Sequence, residues 1–291
     1  MFEGIEIEEG VSLAPFTTFK IGGPAKYFFR AKTRKDLEAV LREASKNNIP
    51  IFILGGGSNI LIHDKGFDGL AIKMELNDIS IKDTSLVAGA GVLLNAAIMR
   101  AVKEGLSGLE FATGIPAKVG GAVWANLGSR GSDMSKVVAS VIATDMQGNE
   151  RVFSHADCKF EYRHTIFKDE PWVIIEAKFN LHPRSTQELR QAMVDLAKLK
   201  KEEQDVGEDT AGCAFRNPHD HEHAAAKLID DLGLKGFAIG GAQVSEKHAN
   251  FILNKGGATA DDVVQLISYI KQQVRDKKGV QLMEEIEYVG F

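Results

Sequence analysis

The sequence predicts an α+β protein of two or three units. Three observations carry this. Glycine-rich loops follow apolar strands at Ile51–Leu61 (IFILGGGSNIL) and again within Gly108–Gly121 (GLEFATGIPAKVGG). Amphipathic helix patterns with capping residues recur between short apolar runs. From Lys136 to Leu181 strand-like runs dominate.

Taken in order, Ala25–Arg30 reads as a short strand. Thr33 can cap a helix over Arg34–Asn47 with Leu37, Val40, Leu41 and Ala44 on one face. Ile49–Leu54 is a buried strand leading into the first glycine loop. Gly69–Lys73, Ser80–Lys82 and Ser85–Ala88 follow as strands, and a helix near Leu93–Glu104 precedes the second loop. VVASVIATD, Glu150–Ser154 and VIIEAKFNL are strands, with a turn at Met146–Gly148. Thr186 can cap a helix to about Glu203, with Leu189, Met193, Leu196 and Leu199 inward. A helix over His223–Leu232 should end at Gly233. Thr259 and Asp262 form a capping-box pattern for a helix to about Lys278, with Val263, Leu266, Ile267, Ile270 and Val274 apolar. VQLMEEIEYVG closes the chain as a strand-like segment.

Composition excludes several function classes. The 291 residues are 44% hydrophobic and 26% charged, ordinary for a globular enzyme. A net charge of −5 without a basic run argues against nucleic acid as a partner. Two cysteines, Cys158 and Cys213, make no disulfide framework and fit a reducing cytoplasm. No stretch approaches the ~18 apolar residues of a spanning helix, so no membrane partner is expected. The opening MFEGIEIEEG lacks the charge pattern of a signal peptide.

Consecutive glycines let a backbone approach a ligand closely, and the N–H groups of such loops make concave anion sites. Two such loops suggest a clamp on something with two phosphates. Neither fits the dinucleotide fingerprint or the P-loop, so a conventional nicotinamide domain or NTPase is disfavoured.

Further segments carry polar groups among apolar neighbours: Thr17–Ala25 (TTFKIGGPA), Phe160–Phe167 (FEYRHTIF), Ala211–Pro218 (AGCAFRNP), Gly240–Asn254 (GGAQVSEKHANFILN) and Leu282–Gly290 (LMEEIEYVG). With the two loops, and in this order, the chain resembles the UDP-N-acetylenolpyruvoylglucosamine reductases, also called UDP-N-acetylmuramate dehydrogenases. It is similar to their shorter branch, having no tyrosine-bearing insertion between Tyr162 and Cys213. The resemblance implies a two-lobed FAD-binding domain of the vanillyl-alcohol-oxidase type over residues 1–187, with lobes of roughly 1–75 and 76–187. A smaller α/β substrate-binding domain over 188–291 follows, and the final strand is expected either there or back on the FAD domain. It further implies non-covalent FAD, NADPH as reductant, a cytoplasmic monomer and a role in peptidoglycan precursor synthesis. The reaction reduces UDP-N-acetylglucosamine enolpyruvate to UDP-N-acetylmuramate.

That chemistry needs a cation on the carboxylate, an acid near the α-carbon and a positioned flavin. The resemblance assigns Arg163, Cys213 and Glu285 to catalysis. Without it, Arg163 reads as a buried ion pair, Glu285 as a solvated charge beside Glu284, and Cys213 as a small packed thiol. Relatives carry serine where Cys213 stands. A thiol has an ordinary pKa of about 8.5 and can hold a proton at neutral pH, so the role is compatible with the change. The flavin positions implied are Gly55, Gly56, Gly57, Ser58, Asn59, Ile60, Thr113, Gly114, Ile115, Pro116, Gly120, Gly121, Asn126 and Gly128. Asn217 and Gln243 correspond to substrate amides, with capping of turns as the structural alternative. Lys201, next to Lys200, is the expected partner of the UDP diphosphate. The chain departs from the family pattern at Ala117, Ser129, Arg130 and Glu287; Arg130 offers a phosphate a new cation. His219, His221 and His223 match no tight zinc motif, and no metal is expected. His248 reads as structural or substrate-neighbouring rather than as a base. Two other readings remain open: a flavin oxidase of the same fold with another substrate, and a non-catalytic flavin- or nucleotide-binding module.

Overall fold

The computed structural model describes residue 2 and residues 4–291. The chain forms two compact units, each interleaved in sequence. One comprises Met1–Glu9, Tyr27–Gly56 and Gly69–Leu199; the other Gly10–Lys26, Gly57–Asp68 and Lys200–Phe291. Each has its own apolar core.

In the first unit, helix α1 (Arg34–Lys46) begins with a full capping box between Thr33 and Asp36 and buries Leu37, Val40, Leu41 and Ala44. It leads to the strand Ile51–Leu54, which pairs in parallel with Phe67–Met74 so that Leu54 stands opposite Lys73. A five-stranded antiparallel sheet runs in the order Glu150–Ser154, Val138–Thr144, Val173–Asn180, Ser85–Gly89, Ile79–Lys82. Helix α2 (Leu94–Lys103) precedes the second glycine loop, and α3 (Val119–Trp124) grows out of it onto the strands Val173–Asn180 and Ser85–Gly89. Gly120 makes that approach possible: a Cβ there would lie 2.8 Å from Ala90 Cβ. A short helix, α4 (Ile166–Asp169), follows the FEYRHTIF turn.

Helix α5 (Thr186–Glu203) forms as expected, but its burial does not. Leu189 alone is buried, Met193 and Leu196 are half-buried, and Leu199 is exposed. Its apolar stripe is one residue wide per turn, and i,i+4 contacts such as Arg184–Glu188 and Gln191–Asp195 support it instead.

The second unit holds an antiparallel sheet in the order Thr210–Cys213, Phe251–Asn254, Ala242–Val244, Ala238–Ile239. Helix α6 spans Ala225–Asp230, shorter than expected at both ends. The histidine-bearing segment before it is a turn, where local polar contacts such as His223 N–H to His221 Nδ1 at 3.1 Å compete with helix. Helix α7 (Ala260–Lys278) has the expected capping box, and it ends at Gly279 with φ 69°. Its buried face of Val263, Leu266, Ile267, Ile270 and Val274 contributes on the order of 10 kcal/mol of transfer free energy before ordering costs. Of the expected terminal strand only Glu287–Val289 is regular. It pairs in parallel with Ile60–Ile62, directly after the first glycine loop. No helix among the described residues is long and apolar enough to cross a membrane.

Candidate active site

The two glycine loops meet within the first unit. A Cβ on Gly56 would lie 3.0 Å from Pro116 O and 3.3 Å from Lys118 N. At Gly55 and Gly121 the added carbon would meet no protein atom within 4 Å, so packing does not explain those glycines. Among the described residues, the backbone N–H groups of Gly56, Gly114, Lys118 and Gly121 have no acceptor in the protein. Gly56 and Lys118 are half-buried and Gly114 and Gly121 exposed, so these donors can take an external partner, and a phosphate oxygen is one that fits. Thr113 is buried, Ile115 is half-buried, and Gly114 and Pro116 are exposed along the same loop.

Two lysines that sequence reasoning missed lie under these loops. Lys73 Nζ donates to Gly55 O at 2.7 Å, and Lys118 Nζ to Met74 O at 2.6 Å. Burial, then the charge of Lys118, pulls Lys73 down to about 8, against the opposing effect of Glu75. Burial also lowers Lys118, with Glu75 acting in the other direction. Glu75 in turn pairs with Arg30 at 3.1 Å.

Arg163 sits at the tip of a tight turn. Glu161 and His164 exchange backbone hydrogen bonds of 3.0 and 3.1 Å, leaving Tyr162 and Arg163 as the two tip residues. Arg163 has φ 57°, a conformation non-glycine residues adopt rarely and keep at functional sites. Asn126, buried and itself at φ 42°, ties this turn down. Its Nδ2 donates to Glu161 O at 2.8 Å, and its Oδ1 accepts from Ser135 N at 3.1 Å. Thr165 Oγ1 adds a bond to Trp124 O at 2.7 Å. Gly128 opens a hairpin whose tip is Arg130 and Gly131, at φ 54° and 78°. A Cβ on Gly128 would lie 3.0 Å from Arg163 Nη1 and 2.9 Å from Asp133 Cβ. The structure therefore brings Asn126, Gly128 and Arg163 together. The side chain of Asn126 serves the arginine turn, a use the sequence did not suggest.

In the second unit the AGCAFRNP and LMEEIEYVG segments run side by side. Glu285 N–H donates to Ala214 O at 2.8 Å, and Arg216 N–H to Met283 O at 2.9 Å, around an antiparallel bridge between Phe215 and Glu284. Cys213 is half-buried at an irregularity of the strand, where Gly212 takes φ 78°. Asn250, buried in SEKHANF, fixes this strand like a backbone mimic. Its Oδ1 accepts from Phe215 N at 3.0 Å, its Nδ2 donates to Phe215 O at 2.8 Å, and its carbonyl accepts from Ala214 N at 2.7 Å. Asn59 holds the other side. Its Nδ2 donates to Glu285 O at 2.9 Å, and its carbonyl accepts from Glu287 N at 3.0 Å. The Asn59 amide is thus engaged with the segment bearing the expected catalytic acid. Glu285 precedes the terminal strand rather than lying in it. Its neighbour Glu284 is ion-paired to Lys271 at 2.8 Å.

Gly57 fits where Phe16 O would lie 2.1 Å from an added Cβ, so its role includes close packing. Ser58 and Ile60 are half-buried beside it. Asn217 Oδ1 accepts from Ala225 N at 3.1 Å at the start of α6, and Gln243 Nε2 donates to Gly236 O at 2.9 Å. Both amides serve the fold with at least one of their polar atoms. Lys201 is exposed on α5. His248 packs its ring 4.6 Å from that of Phe251, and burial lowers its pKa.

Comparison with known proteins defines the class first. An FAD binding domain family matches residues 25–154, so the chain carries an FAD-binding domain of an FAD-dependent oxidoreductase. The family described as UDP-N-acetylenolpyruvoylglucosamine reductase, C-terminal domain, matches residues 204–289. The enzyme of that name from Caldanaerobacter subterraneus subsp. tengcongensis is 40% identical over 94% of this chain and 90% of its own. That of Syntrophomonas wolfei is 39% identical over 99% of this chain and 96% of its own. The crystal structure of the UDP-N-acetylenolpyruvylglucosamine reductase of Thermus caldophilus superposes with a TM-score of 0.84 at 32% identity, covering 98% of this chain and 99% of that one. The chain belongs to the UDP-N-acetylenolpyruvoylglucosamine reductase family. Its fold is α+β, with an FAD-binding domain of the vanillyl-alcohol-oxidase type. The residues fit the cofactor: open space at Gly55 and Gly121, and outward N–H groups beside it, suit a dinucleotide's diphosphate.

Proposed function

We propose that this chain reduces UDP-N-acetylglucosamine enolpyruvate to UDP-N-acetylmuramate, with NADPH as the reductant, in peptidoglycan precursor synthesis. We propose a cytoplasmic monomer. The observation that supports the reading most is the adjacency of the AGCAFRNP and LMEEIEYVG segments, fixed by the Glu285 to Ala214 bond of 2.8 Å.

FAD, when bound, would supply the hydride-transfer chemistry between NADPH and the enolpyruvyl group. The loops bearing Gly55, Gly56, Gly57, Ser58 and Ile60, and Thr113, Gly114, Ile115, Pro116, Gly120 and Gly121, hold the nucleotide. Arg163 binds the substrate carboxylate, where its planar fork stabilises the charge that develops on hydride addition. Its strained turn and the close fit to Gly128 support a pre-organised guanidinium. Cys213 delivers the proton to the α-carbon, and the thiolate left behind recovers a proton from solvent. Glu285 takes part in the same delivery. Asn217, Gln243 and Lys201 bind the UDP-sugar portion, which residues from Lys200 onward carry.

The test is anaerobic NADPH oxidation by the purified holoenzyme, with and without the enolpyruvyl nucleotide. Substrate-dependent turnover to one equivalent of saturated lactyl ether per NADPH is expected. NADPH oxidation that needs oxygen and ignores the nucleotide would refute it.

A further inference from the structure

We propose that Lys73 and Lys118 form a cationic support for the flavin nucleotide's diphosphate, Lys73 by turning the Gly56 N–H away from itself and both by adding positive charge beside the glycine loops. This rests on the FAD reading of the loops.

Two features of geometry carry it. A trans peptide points its carbonyl and its N–H in opposite directions. Lys73 Nζ holds Gly55 O at 2.7 Å, so the N–H of the same peptide, on Gly56, faces away from the lysine. That N–H has no protein acceptor. Lys118 links the second loop to the end of the strand Phe67–Met74 through Met74 O at 2.6 Å. Its own backbone N–H is also without an acceptor. Gly56 and Pro116 are in near contact, and a Cβ added at Gly55 or Gly121 would meet no non-neighbouring atom within 4 Å. Four backbone donors of the two loops are thus without a protein acceptor, and two lysine ammonium groups are held at Gly55 O and Met74 O beside them.

Electrostatics point the same way. Charged groups that act on Lys73 include Lys118 from the second loop, Glu75 just past the end of its own strand and Arg30 from the strand Pro24–Ala31. Arg30 is paired with both Glu75 and Glu8. The two lysines destabilise each other, and burial adds to this, which brings Lys73 to about 8. A diphosphate anion would relieve both penalties.

Binding should then be linked to protonation. An anion beside Lys73 raises its pKa, so the protonated form binds tighter. Below about pH 7 the ammonium is already present and affinity is flat. As pH rises through about 8 the apoprotein loses that proton and affinity falls, by up to about tenfold per pH unit until the pKa of the complex is reached. The experiment strips FAD from the purified protein and titrates FAD back by flavin fluorescence quenching between pH 6.5 and 9.5. Calorimetry at pH 8.5, in two buffers of different ionisation enthalpy, counts protons. Expected are a weakening above pH 8 and net proton uptake. Lys73→Gln keeps a donor for Gly55 O but removes the charge. It should weaken FAD binding by about tenfold at pH 7 and flatten the pH dependence, with Lys118→Gln weaker in the same direction. Parent protein that binds FAD with a flat pH profile and no proton uptake overturns the proposal alone, whether or not the variants fold. Parent protein that fails to bind FAD overturns the FAD reading with it.

Discussion

One methyl group placed at Gly120 or at Gly121 separates packing from cofactor space. The two residues are adjacent in α3, and neither has a positive φ. At Gly120 the new carbon would sit 2.8 Å from Ala90 Cβ and 3.2 Å from Ala90 O. Ordinary carbon contacts are about 3.5–4.0 Å, so α3 must move by up to about 1 Å from its sheet. Overpacking of this kind costs about 1–3 kcal/mol, partly offset by alanine's helix preference of about 1 kcal/mol. Gly120→Ala apoprotein should therefore melt lower, by roughly 2–4 °C per kcal/mol lost. At Gly121 nothing lies within 4 Å. Gly121→Ala apoprotein should melt at or slightly above the parent. Its loss should appear only with FAD, because the methyl enters the space assigned to the nucleotide. A clash of about 1–3 kcal/mol there weakens FAD binding by roughly 5- to 150-fold. Thermal unfolding of the apoproteins and flavin fluorescence titration read the two effects apart. A Gly121→Ala protein that binds FAD like the parent would refute the placement of the cofactor on this loop.

Arg163→Lys keeps the charge but loses the fork. It should slow flavin reoxidation by substrate in stopped flow by at least tenfold while sparing reduction by NADPH; equal slowing of both steps would make Arg163 structural. Cys213→Ala should lower substrate reduction by about 10²–10⁴-fold, whereas Cys213→Ser should retain much of it. Parent-like turnover by Cys213→Ala would place the proton elsewhere. Glu285→Gln should abolish most turnover. Glu284→Gln loses its pair with Lys271 at 2.8 Å and should shift stability by no more than about 1 kcal/mol while keeping turnover; the opposite ranking would reverse the assignment.

The local chemistry of the fold was legible where a few residues decide it. Thr33 as a cap, and Thr259 with Asp262 as a capping box, marked the starts of α1 and α7, because such a box is a four-residue event; that Asp36 completes a box at Thr33 came from the structure. Helix α5 was misread at the level of packing. Its periodicity reports a stripe, not how fully a neighbour covers it: Leu189 is buried, Met193 packs only partly against the core and Leu199 is exposed. The family motifs marked Arg163, Cys213 and Glu285. They did not reveal what holds two of them, Asn126 beneath the arginine turn and Asn250 beside the cysteine strand. A buried asparagine inside a motif is a detectable signal, since a buried amide must be satisfied. Lys73 and Lys118 left no such mark. Their partners are carbonyl oxygens, which every residue carries, so no side-chain pattern announces them.

The parallel pairing of Ile60–Ile62 with Glu287–Val289 has a consequence for how the molecule is made. Residues 63–286 lie between its two strands. At a synthesis rate of roughly 5–20 residues per second, the earlier strand waits roughly 10–45 s for its partner to emerge. During that interval α1 and its strand can form from local contacts, but the segment after the first glycine loop has an open edge. Closing so long a loop is slow, and it brings in the Glu285 segment at the same moment, because Asn59 bonds to both Glu285 and Glu287. Until residue 285 has left the ribosome, the growing chain carries the thiol without the neighbouring acid. A chaperone that shields strand edges would find its substrate in that window.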